Sequence, residues 1–355
     1  MDVMNSIKTM RAAVFHEHGG PEVIAIEDRP LPEPCAGQVR LRVRASALNH
    51  LDLWVRRGLP IETTMPHIGG SDIAGVIDAV GPGVDQGDGA SALIGTRVVV
   101  DPSLDYDWYD RAGRGPSFDD PALRLIGEHT DGGFAEFVVV PAENLLEIPE
   151  YVSFEAAAAA SLAAVTAWRA LFAQGAVTPG ASVLITGASG GVSTLAVQMA
   201  RHAGARVFAI TSGAENVERV RSLGAHHVYD RTSDDWARAL KRDTQGQGVD
   251  VAIDSVGEAL FEGLVRSLAL RGRLVCYGAT TGPRGAVDLR HVFWKQLELK
   301  GSTMGTPAEY RSAMRLVFEG AVAAPIHAVL PLDQARQAHE MLEAGGVFGK
   351  LVLAP

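Results

Sequence analysis

A glycine-rich turn is the part of the sequence whose residue types and spacing point most directly to chemistry. The apolar stretch Val183–Thr186 runs into the heptapeptide GASGGVS at 187–193, after which a helical pattern begins. Glycine lets the backbone approach a phosphate closely, and the N-terminus of a helix offers free N–H groups and a positive dipole end. The match to G-x-G-x-x-G is imperfect, because Ala188 and Ser193 stand where the first and third glycines would be. The succession of strand, turn and helix nevertheless predicts that this segment binds a dinucleotide. The contacting residues would be Ala188, Ser189, Gly190, Gly191 and Val192. The alternative is a glycine turn in an α/β fold that binds no nucleotide.

The end of the next strand bears on which dinucleotide is bound. The predicted strand Arg206–Thr211 is followed by Ser212, and the first acidic residue after it is Glu215. A site for NAD usually has Asp or Glu at the end of this strand, where it binds the ribose 2′-hydroxyl. Without that carboxylate a 2′-phosphate is not repelled, Ser212 can donate a hydrogen bond to it, and Arg219 or Arg231 could supply positive charge. The sequence therefore favours NADP(H) over NAD(H), although either arginine could instead be a solvated surface charge.

The elements that must hold this turn follow two patterns. From about residue 150 onward, apolar strands alternate with helical stretches, which is typical of a parallel, doubly wound α/β sheet. Before residue 150, short alternating strands such as Val39–Ala47 are separated by Gly and Pro turns. The 355 residues, at about 150 per domain, fit about two domains.

Composition excludes several classes of protein. Lys and Arg number 32 against 42 Asp and Glu, a net charge of −10, so neither nucleic acid nor an anionic membrane is an expected partner. The two cysteines, Cys35 and Cys276, exclude a disulfide scaffold and any four-cysteine zinc site. The longest uncharged apolar run, Ala156–Trp168, is shorter than the about 20 residues of a membrane span, and the N-terminus has no pattern of a signal peptide. We therefore expect a cytoplasmic protein.

Several ordered motifs resemble the medium-chain dehydrogenase/reductase superfamily, in particular its zinc-type alcohol dehydrogenases and, more closely, its quinone oxidoreductases. They are ALNHLDLWVRRG (47–58), PHIGGSDIAGVIDAVGPGV (66–84), GEHTDGGFAEFVVVP (127–141), DSVG (254–257) and GKLVL (349–353), together with the glycine turn. The resemblance implies a GroES-like, β-rich catalytic domain formed by residues 1–150 and 300–355. It also implies a Rossmann dinucleotide-binding domain over residues 151–299, and a homodimer.

Comparison with the motifs that this chain resembles predicts that both zinc sites of the superfamily are missing from it. Asn49 stands at the position of the first catalytic ligand, Ser71 replaces the histidine ligand, and the third ligand would fall near Ala163, where no ligand exists. The segment 101–110, which matches the lobe of the structural zinc, has no cysteine. It belongs to an acidic stretch, 101–120, that lacks the spacing of a calcium loop and is read as a solvated relic. The rival hypothesis is a recruited metal site, built from His50, Asp52, His67, Asp72 or His129.

Without zinc, the chemistry that remains is hydride transfer to an activated acceptor. Quinones and α,β-unsaturated carbonyls place the developing charge on an oxygen conjugated to the reacting centre, so hydrogen bonds and positioning can suffice. By resemblance Asn49 could donate to that oxygen, Asp52 could line the site or fix its loop, and Ser71 could bond in the space left by the metal. Trp54 would form an apolar wall, because its indole N–H cannot readily supply a proton.

The remaining cofactor contacts follow from the resemblance. The nicotinamide side would be contacted by Thr166, Val256, Gly278 and Lys350, the last being otherwise an exposed charge before the final strand. The sequence thus predicts an NADP(H)-dependent, zinc-independent reductase of quinones or enones. The alternatives are an alcohol or aldehyde dehydrogenase with a cryptic metal site, and a dinucleotide-binding or sensor protein with little catalysis.

Overall fold

The computed structural model describes residues 8–61, 63–84, 93–104 and 123–355. It divides into two compact units, one formed by Met1–Leu162 with Ile326–Pro355 and the other by Ala163–Pro325. The first unit is discontinuous, but the boundaries differ from the expected residues 150 and 300.

Residues 300–325 lie in the second unit because they pair and bond within it. The strand Glu298–Gly301 is hydrogen-bonded to the second unit's sheet, and the Arg169 guanidinium lies 2.7 Å from the carboxylate of Glu309. The acidic stretch read as a relic of the zinc lobe falls almost entirely outside the described residues.

The strands and helices follow the chain in a fixed order. The strands are β1 (Thr9–Phe15), β2 (Ala25–Pro30), β3 (Gln38–Ala47), β4 (His67–Ile68), β5 (Asp72–Val80), β6 (Arg97–Val100), β7 (Phe137–Pro141), β8 (Leu145–Glu147), β9 (Ser182–Ile185), β10 (Arg206–Thr211), β11 (His227–Asp230), β12 (Val249–Asp254), β13 (Leu268–Cys276), β14 (Glu298–Gly301), β15 (Ile326–Pro331) and β16 (Lys350–Ala354). The α-helices are α1 (His50–Arg57), α2 (Phe154–Trp168), α3 (Gly191–His202), α4 (Ala214–Ser222), α5 (Trp236–Asp243), α6 (Phe261–Ser267), α7 (Leu289–Lys295), α8 (Pro307–Phe318) and α9 (Ala335–Ala344).

The main sheet of the first unit has the strand order β15-β16-β3-β5-β6-β8, and β7 also pairs with β3. Its central strand β3 shows the expected alternation, since Val39, Leu41 and Val43 are buried and form part of the core. A smaller antiparallel sheet has the order β2-β1-β4. In the large sheet β16 and β5 both pair antiparallel with the C-terminal half of β3, so the ends of three neighbouring strands lie side by side.

The second unit is a parallel sheet with the order β11-β10-β9-β12-β13-β14, flanked in sequence by helices. Strand order reverses between β9 and β12, so the chain runs outward from these two strands in both directions. In such doubly wound sheets ligands bind beyond the carboxyl ends of the strands at the reversal point. The glycine turn begins two residues after the end of β9, and the DSVG motif begins on the last residue of β12, so both motifs lie at this point.

One helical segment, Phe154–Gln174, is long and apolar enough to cross a membrane by length and composition. It comprises α2 and a π-helical turn over Arg169–Gln174. In its most apolar window 72% of the residues are buried within the protein, which is the pattern of a core helix. Ser153 lies at its start, and its Oγ caps the helix by accepting the N–H of Ala156.

Candidate functional site

Three neighbouring strand ends of the first unit bring together a polar cluster. Asn49 lies between β3 and α1, Asp72 begins β5, and Lys350 begins β16. The register aligns Ala47 of β3 with Asp72 on one side and with Val352 on the other. Strand pairing therefore places these three residues together, although Asn49 and Lys350 are 301 positions apart in the chain.

The side chains of this cluster form a closed set of short hydrogen bonds. The Lys350 ammonium donates to Asn49 Oδ1 at 2.5 Å and to Asp72 Oδ2 at 2.8 Å. Asn49 Nδ2 also donates to Asp72 Oδ2, at 2.9 Å, while the second oxygen of Asp72 accepts the backbone N–H of Leu162 at 2.6 Å. Asp72 is fully buried and Lys350 is 4% exposed, so this is a buried ion pair with compensating hydrogen bonds.

Asp52 holds the backbone on which Asn49 is mounted. Its two carboxylate oxygens accept the N–H of Asn49 at 2.6 Å and the N–H of Gly70 at 3.1 Å. This is the loop-fixing role that the sequence left open for Asp52. Burial raises the pKa of Asp52 to about 7, against the opposing effect of its bond from Asn49. Glu128 lies near Asp52. Burial of Glu128, followed by electrostatic repulsion from the Asp52 carboxylate, raises the pKa of Glu128 to about 7 as well.

The residues at the positions of the zinc ligands do not fit zinc. The amide of Asn49 and the Lys350 ammonium bonded to it occupy one of these positions, and an ammonium repels a metal ion. Ser71 is buried, and its Oγ has no hydrogen-bond partner in the part of the chain that the structure describes; a lone hydroxyl makes a poor metal site. Among residues 8–61, 63–84, 93–104 and 123–355, no group of three or more His, Cys, Asp or Glu is placed to hold a metal.

The histidines of the rival metal site make other contacts. The ring of His67 is 3.1 Å from the carbonyl oxygen of Gly127, and His129 Nδ1 accepts the N–H of Leu125 at 3.2 Å. His50 is an exposed residue, and partial desolvation of its ring, followed by the charge of Lys350, lowers its pKa. In the described part of the chain, these three rings belong to no group of three or more potential metal ligands.

Trp54, expected as an apolar wall, is 37% exposed on α1. The Arg57 guanidinium lies over its ring, 5.5 Å from the centroid. The exposed indole has surface available to a ligand, and its charged neighbour is one helical turn away.

In the second unit the glycine turn has the geometry that a phosphate site needs. Gly187 has φ of 53°, a left-handed conformation that favours glycine, and α3 begins at Gly191 with Gly190 as its N-cap. The first N–H groups of a helix have no intrahelical acceptor, so this twelve-residue helix presents donors to an anion. Ala188, in place of the first glycine, is fully buried and its N–H bonds to Ile210 of β10.

A buried carboxylate that sequence analysis did not single out clamps the strand ends beneath this turn. Asp254 accepts the hydroxyl of Thr186 at 2.5 Å and the N–H groups of Val256 and Gly257 at 3.0 Å each. Desolvation raises the pKa of Asp254, opposed by the bond from Thr186. The only sequence signal was the DSVG motif, in which Asp254 is the first residue.

Two more contacts complete the frame of the turn. The Ser193 hydroxyl bonds to the carbonyl of Thr186 and lies 2.7 Å from the Tyr277 hydroxyl. Gly278 follows Tyr277, and a Cβ there would meet the carbonyl oxygen of Ser255 at 3.1 Å. The segments after β9, β12 and β13 are thus packed backbone to backbone at the expected cofactor edge.

The segment after β11 brings Arg231 to Ser212, which lies in the loop after β10. Arg231 Nε donates to the Ser212 hydroxyl at 2.7 Å. Arg219 lies 3.5 Å from Glu215, one helical turn away on α4. The carboxylate of Asp230 is close by, but it accepts the N–H of Gly213 at 3.0 Å and two donors of the following threonine. Of the two arginines that the sequence offered, Arg231 is hydrogen-bonded to Ser212.

The other predicted cofactor residues have different surroundings. Thr166 is buried, in the C-terminal part of α2 that belongs to the second unit. Lys350 belongs to the Asn49–Asp72 cluster of the first unit and is not the exposed charge of the alternative reading.

Neither cysteine is a candidate nucleophile. Cys35 is exposed, and desolvation raises the pKa of Cys276 to about 11, so the Cys276 thiol is not activated.

Comparison with known proteins identifies the family. The family described as alcohol dehydrogenase GroES-like domain matches residues 35–150, and that described as zinc-binding dehydrogenase matches residues 191–319. The 2-haloacrylate reductase of Burkholderia sp is 30% identical over 97% of this chain and 98% of its own. The quinone oxidoreductase of Rattus norvegicus is 29% identical over 98% of each chain. The crystal structure of an NAD-dependent alcohol dehydrogenase is 40% identical, with a TM-score of 0.89, and covers 98% of this chain and 100% of that one.

These matches confirm the fold class expected from the sequence, a GroES-like domain and a Rossmann-type parallel sheet. The chain therefore belongs to the medium-chain dehydrogenase/reductase superfamily, in its zinc-type alcohol dehydrogenase-like branch and close to the quinone oxidoreductases, and it is an NAD(P)H-dependent oxidoreductase.

Proposed function

We propose that this protein is an NADP(H)-dependent, zinc-independent reductase that delivers hydride to a quinone or an α,β-unsaturated carbonyl. The observation that carries the proposal is the Lys350 ammonium, which is bonded to Asn49, the residue at the position of the first zinc ligand. A fixed cation and an amide N–H can stabilise developing negative charge, but they offer no coordination site.

The choice of acceptor follows from the strength of this catalytic equipment. Zinc polarises an unactivated alcohol or carbonyl strongly enough for hydride transfer. A quinone or enone needs less help, because the charge that develops spreads onto an oxygen conjugated to the carbon that receives the hydride. The bound dihydronicotinamide supplies that hydride. The protein's task is then to bind, orient and donate hydrogen bonds.

Four residues of the first unit are proposed for this task. Asn49 donates Nδ2–H to the acceptor oxygen, and Ser71, whose buried Oγ has no partner among the described residues, is a second donor. Asp52 fixes the Asn49 backbone, and the exposed face of Trp54 packs against the apolar part of the substrate.

The preference for NADP(H) rests on the Ser212–Arg231 pair. A guanidinium and a hydroxyl 2.7 Å apart form a donor pair for a 2′-phosphate. The pyrophosphate would be held by the turn after β9 and the α3 N-terminus, residues 189–192, with further contacts from Val256 and Gly278. Ala188 is left out because it is fully buried and its N–H is bonded to Ile210. The similar alcohol dehydrogenase is named for NAD. The preference is therefore proposed from this chain's own loop.

The test is steady-state kinetics combined with metal analysis. Purified protein is assayed with NADPH and NADH against 1,4-benzoquinone, 2-cyclohexenone and primary alcohols, before and after dialysis against a chelator. We expect quinone or enone reduction, a kcat/KM for NADPH at least tenfold above that for NADH, and no loss on chelation. One zinc per chain together with chelator-sensitive alcohol oxidation would instead establish the alcohol dehydrogenase alternative. Tight cofactor binding without any turnover would favour the sensor alternative.

We further propose that the protein is a homodimer joined through the edge of the second unit's sheet. Strand β14 lies at the end of the described sheet, and an unpaired edge is a template for another strand. Exposed apolar side chains lie on and beside it: Trp294 is 75% exposed, and Leu289, Phe293 and Leu299 are exposed as well. The cytoplasmic location expected from the sequence stays a proposal that cell fractionation tests.

A further inference from the structure

We propose that the Lys350–Asp72 ion pair is a positioning device, which orients the Asn49 carboxamide so that one Nδ2–H is left for the carbonyl oxygen of the substrate. The inference rests on the proposed reductase function, and it gives Asp72 and Lys350 a role that acts through Asn49. Neither residue needs to touch the reacting atoms.

The chemistry of the partners determines which way the amide faces. An ammonium has only donors, and an ionised carboxylate has only acceptors. Asn49 Oδ1 lies 2.5 Å from the Lys350 ammonium, and its Nδ2 lies 2.9 Å from Asp72 Oδ2. A flipped amide would point N–H at the ammonium and oxygen at the carboxylate, so both bonds would become repulsive. The ion pair therefore selects one orientation.

A count of hydrogens shows what this orientation leaves available. The Asn49 amide has two Nδ2–H groups, and one of them is bonded to Asp72. Among the described residues, no acceptor is bonded to the second. The Lys350 bond polarises the amide by drawing charge toward Oδ1, so the remaining N–H is a stronger donor than that of an isolated asparagine.

The device is rigid because each member is anchored outside it. The second oxygen of Asp72 accepts the N–H of Leu162 at 2.6 Å, and the backbone N–H of Asn49 is held by Asp52 at 2.6 Å. Lys350 lies on a strand between two others in the sheet. A donor held in place before the reaction stabilises transition-state charge without reorganisation.

The first test is a double-mutant cycle on kcat/KM for NADPH and 2-cyclohexenone. We expect Asn49→Ala to cost about a hundredfold, the typical effect of losing one preorganised donor. Lys350→Met should cost about tenfold in the wild-type background but less than twofold in the Asn49→Ala background, with the Kd of NADPH unchanged. Equal losses in both backgrounds would overturn the inference, and so would a loss explained by a higher Kd of NADPH, which would make Lys350 a cofactor contact.

Two further variants separate positioning from stability. Lys350→Met leaves the Asp72 charge buried and unpaired, so the neutral pair Asp72→Asn/Lys350→Met repeats the cycle where the single variant does not fold. Glu343→Gln is the matched control, because it removes the partner of another buried cation of the same unit, the fully buried Arg56 of α1. We expect this control to lower stability and leave kcat unchanged.

A second measurement does not depend on turnover. The chain has only four asparagines, Asn5, Asn49, Asn144 and Asn216, so selective ¹⁵N-asparagine labelling gives four side-chain NH₂ pairs, and the Asn49→Ala variant assigns the relevant one. We expect the two Asn49 protons to differ widely in shift, the difference to shrink in Lys350→Met, and one proton to move in the dead-end complex with NADP⁺ and 2-cyclohexenone.

The two proposals can therefore fail separately. An Asn49 signal that is unchanged in Lys350→Met overturns the orientation inference whatever the activity. If the wild-type enzyme reduces no quinone or enone, the proposed function fails, and the spectrum alone decides whether the ion pair orients the amide.

Discussion

The buried carboxyl of Asp52 should make the stability of the first unit depend on pH in a direction opposite to that of most carboxylates. Burial raises the pKa of Asp52 from 3.8 to about 7 in the folded protein. A folded pKa above the unfolded value means that the folded state binds the proton more tightly. The stabilisation from protonation is complete at pH values below 4 and is lost as the pH rises toward 7.

The magnitude follows from the width of this window. A pH of 5 lies about two units below the pKa of Asp52 in the folded protein, so the folded carboxyl is protonated. In the unfolded chain the same carboxyl, with a pKa of 3.8, is largely ionised at pH 5. At about 1.4 kcal/mol per unit, protonation at pH 5 contributes about 3 kcal/mol that is absent at pH 8. For a domain of 150–250 residues, 1 kcal/mol corresponds to about 2–4 °C in Tm, so the change corresponds to about 6–12 °C.

The variant Asp52→Asn isolates this contribution, because its amide does not titrate. It loses one acceptor for the N–H groups of Asn49 and Gly70, and so should be less stable than the wild type at pH 5. The informative quantity is the gap in Tm between wild type and variant, measured by scanning calorimetry from pH 5 to pH 8. We expect the gap to narrow by about 6–12 °C over that range. Asp28→Asn, at an exposed position on β2, is the control. The difference in Tm between the wild type and this control should stay constant from pH 5 to pH 8. A gap for Asp52→Asn that stays as constant as that of the control would refute the assignment of a buried, protonated carboxyl.

Three other predictions concern the second unit. Arg231→Ala should raise the Kd of NADPH about 10–100-fold in calorimetric titrations and leave the Kd of NADH unchanged, because a hydrogen bond to a charged group is worth about 1.5–3 kcal/mol. Equal effects on the two Kd values would count against a contact between Arg231 and the 2′-phosphate. Thr186→Val should lower the free energy of unfolding by about 1–3 kcal/mol in urea, because Asp254 loses its hydroxyl donor, while Thr186→Ser should retain most of it; equal losses would exclude the clamp. Trp294→Glu should give a monomer by light scattering if β14 joins two chains, and a dimer that persists would place the interface elsewhere.

The strands and helices of the second unit could be predicted from the sequence because the patterns that indicate them are local. The strand Arg206–Thr211 has the predicted bounds, and the turn after β9 lies between a strand and a helix as expected. Strands with weak patterns were not predicted: β2 contains charged residues and ends in Pro30, and β14 is an exposed edge. Edge strands bury few side chains, so their apolar alternation is faint.

The contacts of the candidate site were less accessible, because they depend on strand register. Parallel pairing aligns Thr211 with Asp230, and this brings Arg231 beside Ser212. Sequence distance alone favoured neither arginine. The same holds for Lys350, whose bond to Asn49 requires β16 to pair with the end of β3. The sequence identified these residue types as functional, but which atoms meet is set by pairings between distant segments.

The discontinuity of the first unit has a consequence for biosynthesis. Asn49 and Asp72 leave the ribosome early, whereas Lys350 follows 301 residues after Asn49, behind the whole of the second unit. At about 5–20 residues per second, that interval is about 15–60 s. During this time Asp72 has no ammonium partner, and the Ser46–Ala47 end of β3 lacks the pairing that β16 supplies. The nascent enzyme can therefore complete its nucleotide-binding half first, while the polar cluster waits for the last strand to be translated.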